Sequence, residues 1–383
     1  MKKIIKIILL LTLTFLVSTK EILANEKIKI GLLVPLTGKN SEIGQSIIKS
    51  TLLAVNKINN PSIEIIPRDT KSNPTDTLKS AKELGELGVK IIIGPVFNKS
   101  QTYLDELKDI TFISLTNKGE NKSKNIINAG INATSQLRGI KKFIELNEIK
   151  KTIFLTPDVD YKNEIKKAIV LSKIKILSNY IYKTDPTKLT KQIEEITNYK
   201  QRKQNLKDEI VRLEKSNQNN KEKLIEKLKK RDTLGGVKFD SIIIADFDES
   251  LKSVTTSLLY TDISPKKKYF ITLNQWFDKS LLGEASSQPL YFPSINKKNY
   301  EDFSLEYFNK FNQHPNQLSF LSYDLVGLVY YLILQNNLIV DEKIFTKKNL
   351  FKGKVGIFEV KNNKINHILN FYKVENGEFK KIF

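Results

Sequence analysis

The side chains that could carry covalent chemistry are few. No cysteine occurs among the 383 residues, so a thiol nucleophile is absent. Histidine stands only at 314 and 367, and neither His314 nor His367 lies near a serine or carboxylate pattern of the nucleophile-elbow type. Metal sites built on His or Cys are unsupported for the same reason. Gly31 and Gly38 are too far apart for a dinucleotide fingerprint, and no glycine-rich loop offers a phosphate cradle. Asp246, Asp248 and Glu249 have the chemistry to act as acid and base or to hold a hard cation. Carboxylates just after an apolar run are more often helix caps, and that is the role expected here. The sequence thus predicts a binding protein rather than an enzyme, with no cofactor.

Binding groups must be held by something, and the hydrophobic pattern supplies it. An apolar run at 27–35 feeds a loop, and a helical period follows at 42–58, with Ser41 and Glu42 at its start. The alternation continues through a strand at 63–67, a helix at 75–87, strands at 90–93 and 111–115, and a helix after 100 between them. A second series has a helix at 136–146, a strand at 152–156, a helix at 161–171 and a strand at 175–182. Apolar strands at 239–245 and 269–273 flank a helix at 249–260. Such alternation requires parallel sheets covered on both faces, and its length requires two α/β lobes. Ligands of such sheets meet the loops that leave the carboxyl ends of strands. Here those are 35–41, 95–100, 114–117, 157–161, 246–249 and 274–278, several rich in hydroxyl, amide and aromatic groups. The same residues are also ordinary turn formers.

Residues 199–236 break the pattern. They are dominated by Lys, Glu, Gln and Asn, with Leu206, Ile210, Leu213, Leu224 and Leu228 at helical spacing. The spacing predicts a helical hairpin turning at 216–220, either a partner-binding arm or a solvated insertion. Later, an apolar helix at 318–334 carries Tyr323, Tyr330 and Tyr331, expected to pack in a core, and strands at 353–358 and 365–374 are expected to end the chain.

Lys2, Lys3 and Lys6 precede an apolar run at 7–17 that ends near Ile22-Leu23-Ala24. This reads as a secretory signal cleaved after Ala24, which places the mature chain in the periplasm without a stable membrane anchor. Without cysteine, neither a lipoprotein anchor nor a disulfide framework is possible. The net charge of +21 stays strongly basic once the four lysines and one glutamate of residues 1–24 are removed. That excess is mostly lysine and accompanies abundant Asn and Ile, so it is read as compositional bias rather than a nucleic-acid surface, and export excludes nucleic acid as a partner.

Several segments resemble a known family. Ile30-Gly-Leu-Leu-Val-Pro-Leu-Thr-Gly38 is similar to the opening strand and loop of type I periplasmic binding proteins, which include the leucine, isoleucine and valine receptors. Ile92-Ile-Gly-Pro95, Phe112-Ile-Ser-Leu-Thr-Asn117, Asp160-Tyr161 and Ser322-Tyr323-Asp324 follow in the family's order. Pro67-Arg-Asp-Thr70, Phe239-Asp-Ser-Ile-Ile-Ile-Ala245, Asn274-Gln-Trp-Phe277, Gly353-Lys-Val-Gly-Ile-Phe358 and the basic helical insertion resemble a narrower branch, the alphaproteobacterial penicillin-binding protein activators.

The resemblance implies two Rossmann-like lobes joined by a three-strand hinge, with a helical insertion at 199–236 in the second. Expected bounds are 25–138 with 294–340 for the N-terminal lobe and 139–293 with 341–383 for the C-terminal lobe. The activators are thought to regulate peptidoglycan synthases by direct contact, whereas the receptors deliver amino acids or related polar solutes to an ABC permease. Receptor contacts carried onto this chain fall on Asn98, on Ser114 and Thr116 with their backbone, and on Tyr161 as a ring against a ligand. The later contacts depart. Ala245-Asp246-Phe247 replaces a glycine-rich loop, and the carboxylate that would hold an ammonium falls at Asn274 or Gln275, both neutral amides. A neutral hydrogen bond has roughly half the strength of a charge-assisted one, which counts against tight binding of an α-amino acid unless Asp246 substitutes.

Overall fold

The computed structural model describes residues 27–118 and 123–383. The expected export signal lies outside the described residues. The chain divides into two compact units, the first running up to Gly130 and including Asn299–Asn366, the second comprising Ile131–Lys298 and His367–Phe383.

The first unit opens with β1 (Ile28–Val34), α1 (Ser41–Ile58), β2 (Ile63–Asp69), α2 (Pro74–Glu86), β3 (Ile91–Ile93), β4 (Thr111–Ser114) and β5 (Ile126–Asn128). The strands form one parallel sheet in the order β2-β1-β3-β4-β5, with Ile28 opposite Ile63 and Val34 opposite Asp69. Six of the seven β1 residues are buried, the signature of a strand covered on both faces. Local chemistry sets the helix ends. Asn59 closes α1 in the left-handed region at φ 52°, and its amide bonds the Val55 carbonyl. Asn73 caps α2 by accepting from the Asp76 amide, with Pro74 in the first turn. The helix expected after Ser100 is instead two short 3₁₀ turns, Asn98–Gln101 and Leu104–Glu106.

The second unit continues with α3 (Ala133–Leu146), β6 (Thr152–Pro157), α4 (Lys162–Ser172), β7 (Ser178–Tyr182), α5 (Pro186–Ile196), α6 (Tyr199–Glu214), α7 (Lys221–Lys229), β8 (Ser241–Ile244), α8 (Asp248–Tyr260), β9 (Tyr269–Thr272) and β10 (Leu290–Ser294). The hairpin expected at 199–236 is present as α6 and α7. Leu206 and Leu213 of α6 are buried, while α7 buries no residue completely. At its base, the buried Arg202 donates to the carbonyls of Thr261 (3.0 Å) and Gly235 (3.2 Å) and to the Thr233 hydroxyl (2.6 Å). Burial pulls its pKa below the usual guanidinium range, and Asp262 at 3.6 Å opposes that shift.

The chain then returns to the first unit with α9 (Lys297–Phe311), α10 (Ser319–Gln335), β11 (Asn349–Lys352), β12 (Ile357–Lys361) and β13 (Lys364–His367). Hydroxyls knit α10 and α9 to α1: Ser319 and Ser46 lie 2.6 Å apart, Ser50 donates to the Ser319 carbonyl, and the Tyr307 hydroxyl bonds Ser46. Tyr323 is buried, while Tyr330 and Tyr331 are half-buried. The chain ends in the second unit as β14 (Asn370–Glu375) and β15 (Glu378–Lys381). The second sheet has the order β15-β14-β10-β9-β8-β6-β7, parallel from β10 to β7 and antiparallel at β14 and β15. Its core includes Tyr182, Phe270, Phe292 and Tyr372, each no more than 1% exposed.

Two expectations need correction. Residues 341–366 stand with the first unit, so the last division falls at 366 rather than 340, and the others fall at 130 and 298 rather than 138 and 293. The cause is Asp324 of α10, whose buried carboxylate accepts the amides of Lys354 (2.7 Å), Val355 (3.1 Å) and Gly356 (2.7 Å). For the same reason residues 353–356 of the strand expected at 353–358 form a turn between β11 and β12, since the amides of 354–356 serve a carboxylate and not a ladder, and only Ile357 and Phe358 join β12. A Cβ at Gly353 would lie 2.5 Å from the Asp324 carboxylate, so only glycine fits there.

Candidate functional site

The carboxyl edge of the first sheet is built around β1, β3 and β4. Asp69, at the end of β2, accepts the Leu36 amide (2.8 Å), the Thr37 hydroxyl (2.6 Å) and the Lys71 amide (2.9 Å), which fixes the loop after β1. Partial burial raises the Asp69 pKa, but these hydrogen bonds outweigh it and hold the carboxyl below its ordinary value. Ser114 is fully buried, and its hydroxyl donates to the Pro95 carbonyl (2.7 Å) while receiving the Thr116 amide (3.3 Å). Thr116 is buried as well, and its hydroxyl accepts the Lys118 amide. Asn98, at the start of its 3₁₀ turn, is exposed. The structure therefore joins Ser114 and Thr116 in one hydrogen-bonded loop and leaves Asn98 on the surface.

Gly94 makes the approach of this loop to β1 possible. Its φ is +115°, and a Cβ there would lie 2.2 Å from the Leu33 carbonyl oxygen. Both conditions exclude a side chain. Gly94→Ala is expected to destabilise the protein by about 2–4 kcal/mol, visible as a lower urea midpoint at unchanged slope.

In the second unit, four of the expected residues lie at the carboxyl edge of β6, β8 and β9. The half-buried Tyr161 donates its hydroxyl to the Ala245 carbonyl (3.1 Å) and sets its ring edge-on to Phe247 at 6.4 Å. Asp246 is buried, taking the Tyr182 hydroxyl at 2.5 Å and the Phe247 amide at 3.0 Å. Burial raises the Asp246 pKa above the ordinary carboxylate value, while those two bonds pull it back and nearby Asp248 adds to the rise. Burial, and then the Asp246 charge, push both Tyr161 and Tyr182 upward, so both phenols stay protonated. Gln275 turns inward, its amide nitrogen donating to the Asp246 carbonyl (3.2 Å) and the Thr272 hydroxyl (3.0 Å). Asn274 accepts the Trp276 amide and the Ser294 hydroxyl through its side-chain oxygen, and its backbone amide bonds Gln136. Its buried Nδ2 has no partner.

The acidic cluster does not cap α8. The residue preceding that helix, Phe247, makes no side-chain cap bond, Asp248 adopts φ 48°, and Asp246 is engaged by Tyr182 instead. Four features here escaped the sequence reading. Tyr182 is the partner of Asp246, a pairing that reaches across β6 from the end of β7 to the end of β8, 64 residues apart, and that no local pattern encodes. Asp158 is gripped by Lys162 and Lys183, whose hydrogen bonds lower its pKa to about 2. Asp69 anchors the loop after β1 from the end of β2, 33 residues away. Trp276 and Phe277 both adopt left-handed backbone, at φ 50° and 58°. Bulky residues rarely do so, and such strain concentrates where a loop is held for use.

Chemically, both edges offer orientation and hydrogen bonding, with no nucleophile held beside a base. Among the described residues, no group of three or more His, Cys, Asp or Glu is placed to hold a metal ion, and no helix is long and apolar enough to cross a membrane.

Residues 27–193 match the model of a periplasmic binding protein family. No curated protein sequence matches the chain. Among solved structures, the C-domain of LpoA from Haemophilus influenzae, described as a regulator of PBP1A, aligns with TM-score 0.63 and 14% identity over 93% of this chain and all of that one. The leucine-binding protein LivK from Thermotoga maritima aligns with TM-score 0.56 and 15% identity over 93% and 98% of the two chains. An ABC transporter substrate-binding protein from Desulfitobacterium hafniense, solved with Leu, gives 0.59 and 13% over 93% and 100%. Residues 27–193 are thus similar to a periplasmic binding protein family, and over 93% of its length the chain shares the fold of the LpoA C-domain and of leucine-binding proteins.

Proposed function

We propose that the protein is a non-enzymatic, exported regulator that contacts a peptidoglycan synthase directly, as the activator-like segments imply. The observation that carries this reading is the state of Asp246. Asp246, the carboxylate expected to substitute for an amino-acid receptor's acidic contact, is buried and already committed to Tyr182 and Phe247, with Gln275 closing on its carbonyl. An ammonium group arriving there would have to displace those bonds, at about 1–3 kcal/mol for each buried group left unpaired. Ser114 and Thr116 are likewise turned to their own loop. The fold shared with the LpoA C-domain, described as a regulator of PBP1A, agrees with such a role.

A second reading, capture of a polar solute for a permease, is favoured by the unpartnered Asn274 Nδ2 and the half-buried Tyr161 ring. One pair of measurements separates the two. Purified bifunctional peptidoglycan synthase should bind the mature protein on an immobilised surface and polymerise glycan faster in its presence, while leucine, isoleucine, valine and small peptides leave the melting temperature unchanged. A melting shift corresponding to about 2.7 kcal/mol at saturating amino acid, lost in Tyr161→Ala, together with no synthase binding, would replace the regulator reading with the receptor one.

A further inference from the structure

The base of the helical arm encloses a cavity of about 460 Å³ that lies wholly within the second unit. Its wall is the segment after α7, from Lys230 to Val237, facing the turn after α8, from Asp262 to Lys268. The charges on this wall are not equally available. Arg202 and Asp262 are paired, Lys268 lies 3.9 Å from Asp240, and Lys230 is bound to Glu226 at 2.8 Å. Arg231 and Lys267, both exposed, have no side-chain partner among the described residues. The same wall carries Gly235-Gly236, with Gly235 at φ +103°, and neither glycine amide donates a hydrogen bond to another described residue. Two free cations beside free backbone amides at a left-handed turn form an anion-binding concavity.

We propose that this cavity binds a phosphate ester, with Arg231 and Lys267 taking its oxygens and the Gly235 and Gly236 amides completing the cradle. The volume falls in the range of small-molecule sites and exceeds what bare phosphate fills, so the ligand carries a polar body of sugar or headgroup size. Asp232, the uncompensated carboxylate of the same wall, opposes an extended polyanion and restricts the site to a single phosphate. The buried Arg202 supplies the rigidity, because its three hydrogen bonds fix Thr233, Gly235 and the end of α8 in place. This inference does not depend on the regulator reading.

The test is calorimetric titration of the mature protein with glycerol 3-phosphate at low ionic strength, beside co-sedimentation with phosphatidylglycerol or phosphatidylcholine vesicles. The pair Arg231→Gln/Lys267→Gln should bind at least tenfold more weakly than the parent. The control pair Lys166→Gln/Lys167→Gln, exposed on α4 and removing the same charge, should bind within twofold of it. Discrimination in the titration identifies a soluble ester. Discrimination only with phosphatidylglycerol vesicles identifies a lipid headgroup. Equal losses in both pairs would reduce the effect to net charge and overturn the proposal, as would the absence of binding to either probe at millimolar concentration. All four substitutions are of exposed side chains, so folding is preserved, and thermal melts of each variant verify it.

Discussion

Asp324→Ala is expected to destabilise the first unit by about 3–5 kcal/mol, because three backbone amides, those of Lys354, Val355 and Gly356, lose their acceptor in a buried place. The loss should show as a lower urea midpoint and as rapid proteolysis between 349 and 361. Asp324→Asn should fall between parent and alanine: one carboxamide oxygen can still serve Val355 and Gly356, while the new amino group faces the Lys354 amide donor. The same residue predicts a pH dependence. Burial raises its carboxyl to about 7 against the pull of the three amides, from an ordinary value of 3.8. The folded state therefore holds this proton more tightly than the unfolded chain does. Its contribution to stability is full below pH 4 and declines as pH rises through about 7. Urea midpoints measured across pH 4–8 should fall in the parent by an increment missing from Asp324→Asn; identical profiles would show that the carboxyl does not titrate in this range.

The second large effect belongs to Arg202. Arg202→Met keeps much of the apolar stem but leaves the Thr261 and Gly235 carbonyls and Asp262 without their shared donor, a loss of about 3 kcal/mol. Because the lost contacts tie the arm to its unit, the damage should be local. Amide exchange in α6 should accelerate roughly 100-fold while β6, β8 and β9 keep their protection. Arg202→Lys should not rescue it, since a single ammonium cannot reach acceptors spread across the planar guanidinium fork. Uniform loss of protection across the unit would show that the arm is part of the core rather than an appendage.

Strands with continuous apolar runs were legible because burial on both faces leaves an unbroken hydrophobic word, as in Ile91–Ile93 and Ile242–Ile244. The arm was legible from its charge and helical spacing. β5 was not, since three residues of Ile-Ile-Asn carry no period. β10 was hidden by Pro293, which is tolerated because pairing with β9 ends at Tyr291 and only β14 continues alongside. The helix at Pro186–Ile196 passed unnoticed even though Asp185 and Pro186 form a standard start, with the Asp185 side chain accepting the Lys188 amide. At the candidate site, residue types were readable but their commitments were not. Whether Asp246 faces solvent or Tyr182, and whether Gln275 points out or in, depends on neighbouring strands brought together by the sheet, and no local spacing records that.

The interleaving of the two units also bears on how the chain is made. The first unit needs α10 to cover α1, a separation of about 270 residues, and the second needs β14, whose Phe371, Tyr372 and Val374 are buried in its core. A chain emerging from the ribosome N-terminus first can close neither unit until almost all of it has appeared. Such a topology delays folding to the end of synthesis and keeps the polypeptide threadable throughout, the state that a secretory channel requires.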